Sequence, residues 1–136
     1  MKNAKVRYLT CITSSEKSGL IYTTDMGLGQ MYITNMKDKE SSIVRHTING
    51  SNILKHASGV AAGPAGNIIV TSMAHGKIYL FSAEGNYLKT FRTKKMSAPM
   101  GIELRGRLFF AVDSKDKVVN AYVVAEVQEE EDAAAA

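Results

Sequence analysis

No tryptophan, two prolines and a single cysteine, Cys11, occur in the 136 residues of the chain. One cysteine excludes an intrachain disulfide and a metal held by several thiolates. With so little proline, and with 45% hydrophobic against 22% charged residues, the composition is that of a folded chain, not a disordered or fibrous one. No stretch approaches the roughly 18 apolar residues of a membrane-crossing helix. The opening MKNAKVRYLTCITSSEKSG has basic residues but no uninterrupted apolar segment behind them, so it does not read as a signal peptide. These absences predict a cytoplasmic protein without membrane contact, of one domain's length.

Helical periodicity is also missing through residue 124. In its place are short runs of β-branched and aromatic residues separated by turn residues, and they repeat. GNIIVTSMAHGKIYLFS (66–82) aligns with SGLIYTTDMGLGQMYITN (18–35), bringing Met26 opposite Met73, Gly29 opposite Gly76 and the MYI of 31–33 opposite the IYL of 78–80. GRLFFAVDSKDKVVNAY (106–122) fits the same frame with one insertion, and Gly59 recurs as Gly101 after 42 residues. That period belongs to a four-stranded propeller blade. SSEKSG, GPAG and AEGN supply the Gly, Pro, Asn and Ser that reversals require. The strands are nearly continuous in apolar character, as expected of sheets covered on both faces.

The predicted fold is all-β: a β-propeller segment of about three four-stranded antiparallel blades, the last incomplete. Blade one covers 1–50, blade two 51–97 and a partial blade three 98–125. Residues 126–136, acidic and then alanine-rich, lack an apolar stripe and are expected to be without regular structure.

The stretch SGVAAGPAGNIIVTSMAHGKIYLFSAEGNYLKTF resembles an NHL repeat, and Pro99, Gly101, Ile102 and Phe110 to Ser114 echo that pattern in the third blade. The first-strand Asp of that family is replaced by Gly63 and Leu104, and its His-Arg pair by Gly76-Lys77 and Lys117-Val118. Six-bladed propellers of the gluconolactonase type carry similar strands. Closed propellers have 4–8 blades, so the resemblance implies a homo-oligomer or part of a longer chain.

Charge is unevenly distributed. All 17 Lys and Arg precede residue 118, and five of the 13 acids lie in the tail, so 17 basic residues stand against 8 acidic ones over residues 1–125. On a propeller, the second-to-third strand loops and the blade-to-blade connections share one face. That face collects Lys55, Lys77, Arg92, Lys94, Lys95, Lys115 and Lys117 against Asp25, Asp113 and Asp116, together with His56 and His75. The excess of four positive charges there, against one on the other face, suits an acidic partner, a protein or a single-stranded RNA. NHL domains of the tripartite-motif type bind single-stranded RNA on the corresponding face. Aromatic stacking partners are missing from these loops, leaving the two histidines as the ring-bearing candidates. The predicted binding residues are Lys55, His75, Lys77, Arg92, Lys94, Lys95, Lys115 and Lys117, with no catalytic residue, metal or cofactor.

Enzymatic alternatives are weaker. A metal-dependent lactonase or ester hydrolase assembled from several chains would draw on Asp25, Asp113 and Asn120, the nearest equivalents of the gluconolactonase-type ligands. His46, His56 and His75 lack the short spacing of a zinc site. No G-x-S-x-G elbow is present, Cys11 lies in an apolar strand where an inert thiol is usual, and neither GLGQ nor GPAGN opens a helix to cradle phosphate.

Overall fold

The computed structural model describes residues 9–63, 65–92, 98–105, 108–123 and 128–130. Among them every regular element is a strand. Blade one is β1 (Leu9–Ser15), β2 (Leu20–Asp25), β3 (Gln30–Asn35) and β4 (Ser41–Val44), an antiparallel sheet in that order. A two-stranded hairpin, β5 (Thr47–Ile48) and β6 (Ser51–Asn52), interrupts the crossover to the next blade. Blade two is β7 (Ala57–Ala62), β8 (Ile68–Ser72), β9 (Lys77–Phe81) and β10 (Tyr87–Arg92). Blade three has β11 (Pro99–Arg105), β12 (Leu108–Asp113) and β13 (Val118–Val123).

Two features depart from the expected layout. Asn49 and Gly50 adopt φ of 51° and 77° and close the β5–β6 hairpin, which straddles the expected boundary between blades one and two. Successive left-handed residues twist a two-residue turn in the sense a hairpin needs, and Asn-Gly tolerates them best. In the tail, Gln128–Glu130 forms β14, which pairs antiparallel with β10 as a fifth strand of blade two. An unpaired outer strand offers a row of backbone donors and acceptors to any extended segment within reach, whatever its side chains.

The inner strands β1, β7 and β11 stand side by side, and the blades pack face to face behind them. Between blades one and two, Tyr22, Met31 and Ile33 meet Ile68, Val70, Tyr79 and Phe81. Between blades two and three, Ile69, Ile78, Leu80 and Phe91 meet Ile102, Leu104, Phe109, Ala111 and Tyr122, with the Phe109 and Tyr122 rings stacked at 4.8 Å. β8 therefore faces both seams, with Ile68 and Val70 on one side and Ile69 on the other. Its five residues are all buried, which explains why NIIV shows no alternation.

Each inner strand is bulged at the same place: between Leu9 and Cys11, Ala57 and Gly59, and Pro99 and Ile102. The bulge re-aims one residue toward the following blade. Thr10 Oγ1 donates to the Ala57 carbonyl at 2.8 Å and lies 2.9 Å from Thr24 Oγ1. One blade on, Ser58 Oγ donates to the Pro99 carbonyl and lies 3.2 Å from Thr71 Oγ1, which donates to the Met100 carbonyl. A hydroxyl pair thus clasps each blade to the backbone of the next. Each bond within such a seam is worth about 1 kcal/mol net.

Candidate functional site

The β2–β3, β8–β9 and β12–β13 turns lie at one end of the sheets, with the crossover from β4 to β7, as antiparallel pairing requires. The three turns share one construction. A polar residue at the strand end caps the turn, and a left-handed residue four positions later closes it: Asp25 with Gly29 (φ 65°), Ser72 with Gly76 (φ 59°) and Asp113 with Lys117 (φ 56°). Asp25 Oδ1 accepts the Gly27 and Leu28 N–H groups at 3.0 and 3.1 Å. Asp113 Oδ1 accepts those of Lys115, Asp116 and Ala98 at 3.1, 3.0 and 3.2 Å, tying the incoming β11 connection to the turn. Ser72 Oγ accepts the His75 N–H at 3.3 Å and lies 3.0 Å from His75 Nδ1.

Asn52 pins the crossover onto this end. Its Nδ2 donates to the Gly29 carbonyl at 2.9 Å, and its Oδ1 accepts the Leu54 N–H at 3.0 Å. Between crossover and turn lies an open cleft of about 650 Å³ lined by Met26, Gly27, Leu28, Gly29, Asn52, Lys55 and His56. Gly29 serves the close approach as well as the turn, since a Cβ there would fall 2.7 Å from Asn52 Nδ2. Ser51 Oγ, on the crossover hairpin, lies 3.3 Å from His75 Nε2. His75 thus bridges the blade two turn and the crossover. Burial, and then the charges of Lys77 and His56, hold its imidazole below the usual value for histidine.

Lys55, His75 and Lys77 therefore belong to one neighbourhood, with Lys55 and Lys77 exposed. Lys115 and Lys117 are exposed on the blade three turn at the same end. Arg92 ends β10 on the approach to it. Lys94 and Lys95 lie outside the described residues. Two of the three acids counted against this face turn inward: Asp25 and Asp113 are 0% and 1% exposed and capped by backbone N–H groups. Asp25 also receives the Tyr32 hydroxyl at 3.1 Å, and Tyr32 in turn accepts Gln30 Nε2 at 2.7 Å. The carboxylates of the lactonase alternative thus have structural employment, and no group of three His, Cys, Asp or Glu among the described residues is arranged to hold a metal ion. Cys11 is half-buried against blade two, its Sγ 3.8 Å from the Val60 carbonyl. Ser51, Asn52 and Ser72 were not anticipated. The Asn49-Gly50 pair was the available signal for the first two.

No family model matches the chain, and no curated protein does. Solved structures do match its backbone. U3-55K superposes with a TM-score of 0.70 at 15% identity, over 95% of this chain and 40% of that one. The WD40 repeats of RRP9 give 0.71 at 15% identity, over 95% and 39%. Streptogramin B lyase gives 0.69 at 18% identity, over 89% and 39%. The fold is a β-propeller segment. The propeller spans about 40% of the length of these three chains. No helix among its described residues is long and apolar enough to cross a membrane.

Proposed function

We propose that this propeller segment is a non-catalytic binding module whose basic loop face docks an acidic protein surface. The observation that carries the reading is the inward turn of Asp25 and Asp113, which leaves Lys55, Lys77, Lys115 and Lys117 exposed at the same end. Rim lysines of this kind raise association rate and specificity more than affinity, and their effect falls with salt. The open cleft beside Lys55 and His56 has room for a side chain of a partner protein. The WD40 repeats of RRP9, similar in backbone, agree with an interaction module in general, without naming a partner for this one. Cytoplasmic placement and NHL-type character remain parts of the same proposal.

A second reading has single-stranded RNA on the same face. Its support is the pair of imidazoles, His56 and His75, which could stack on bases; its weakness is the lack of Tyr, Phe or Trp in these loops. Fluorescence anisotropy with a labelled glutamate-rich peptide and a labelled single-stranded RNA pool, each at two salt concentrations, tests both. The proposal expects saturable peptide binding that weakens with salt and is abolished in Lys55→Glu/Lys77→Glu. Tighter binding of RNA would install the second reading. No binding of either probe at low salt would leave a scaffold without this site.

A further inference from the structure

The hydroxyl clasp stops at blade three. Thr10 and Ser58 correspond there to Met100, and Thr24 and Thr71 to Val112. The face that would clasp a following blade thus has two apolar side chains in place of its hydrogen-bonding pair. Across β12 and β13 the face is apolar too. The registers Phe110↔Ala121, Val112↔Val119 and Leu108↔Val123 put these six residues on the side of the sheet away from blade two. Val119 is 64% exposed, Val112 43% and Leu108 40%. Beside them Glu103 and Arg105, opposite Phe110 and Leu108, form a salt bridge of 3.3 Å at a largely exposed edge.

A face this apolar is a binding surface, not ordinary exterior. The corresponding face of blade one offers no continuous apolar patch to match it, because in the row Ile12, Thr23, Tyr32 and Ile43 only the two outer isoleucines are exposed, 65% and 52%, and the centre is buried. The face of blade three complements itself. In a twofold interface the same patch meets its own copy. An axis passing near Leu104 would set Glu103 of one chain against Arg105 of the other, twice, over a shared apolar centre. We infer that the open face of blade three is a self-association surface, occupied by the same face of a second copy about a twofold axis. Met100 and Val112 replace a clasp that would have directed another blade onto this position.

Sedimentation velocity of the full chain across a concentration series tests the inference. The expected result is a monomer–dimer equilibrium. Val119→Lys should weaken it at least about tenfold by burying an unpaired charge, with circular dichroism confirming an intact fold. Ile12→Lys, on the open side of blade one, should leave it unchanged, since Ile12 is 65% exposed and outside the interface. Glu103→Arg should weaken the dimer by setting arginines against each other, and Glu103→Arg/Arg105→Glu should restore it. A chain that stays monomeric throughout overturns the inference. So does a dimer broken equally by Ile12→Lys, which would mean head-to-tail packing of blade three on blade one, or a charge swap that fails to rescue.

Discussion

Gly59 and Gly101 occupy the same position in successive inner strands, yet their surroundings differ in a way that yields a sharp prediction. A Cβ at Gly59 would run into the Met100 carbonyl oxygen and meet Thr71 Oγ1 at 2.8 Å and Ile102 Cγ2 at 3.2 Å. The obstruction is backbone, so Gly59→Ala must push β11 away from β7. Overpacking of this kind costs about 1–3 kcal/mol. Shifting Met100 also threatens the bond it accepts from Thr71 at 3.2 Å, a further loss of about 1 kcal/mol. The lower chain entropy of unfolded alanine returns about 0.5–1 kcal/mol. The net is about 2 kcal/mol, or a fall in Tm of roughly 8 °C for a domain of this size. At Gly101 no atom lies within 4 Å of the added methyl, and Gly101→Ala should move Tm by no more than about 2 °C. Thermal unfolding followed by circular dichroism decides, with both variants in a Val119→Lys background so that association does not contribute. Equal losses at the two glycines, or none at Gly59, would refute the seam geometry.

Three other outcomes follow from the turns. Lys117 holds φ 56° where the equivalent turns have glycine, so Lys117→Gly should stabilise by about 0.5–1 kcal/mol in a denaturant titration, and Gly76→Ala should destabilise by a similar amount. Asp113→Ala strips three backbone N–H groups of their acceptor and should cost about 2–3 kcal/mol by the same assay. His75 has its pKa depressed in the folded state; the unfolded chain therefore takes up the proton first as pH falls. Its stabilising contribution is complete above the unfolded value of about 6.5 and is lost as pH drops through the folded one. Titration of the His75 ring by NMR should show the low value, and His75→Gln should flatten the Tm profile between pH 7.5 and 5.5.

The strands were legible because blade two is packed on both faces and blades one and three are each packed on one. Seam packing demands β-branched and aromatic residues at consecutive positions, and the runs LIYTTD, NIIVTS and RLFFAVD record that demand directly. Local chemistry that depends on one position was legible as well: Gly29 and Gly76 mark left-handed turn ends. What escaped was chemistry made between blades. Nothing near Thr10 or Ser58 in the chain shows that their hydroxyls reach Ala57 and Pro99, 47 and 41 residues away. Their identity as a pair emerges only once the bulges are aligned. Counting charges likewise placed Asp25 and Asp113 against the lysines of the loop face, whereas turn capping withdraws both inward. The strand β14 rests on the backbone of β10, and a sequence of Gln and Glu carries no sign of that pairing.

The most direct measurement of the central claim is amide chemical-shift mapping of the labelled chain with the glutamate-rich peptide. The basic-face account predicts perturbations at Gly29, Lys55, His56, His75, Lys77, Lys115 and Lys117, and none at the opposite-end turns around Gly19, Lys39 and Gly85. Perturbations concentrated at Lys17, Lys37 and Lys39 instead, or no perturbation at saturating peptide, would contradict it.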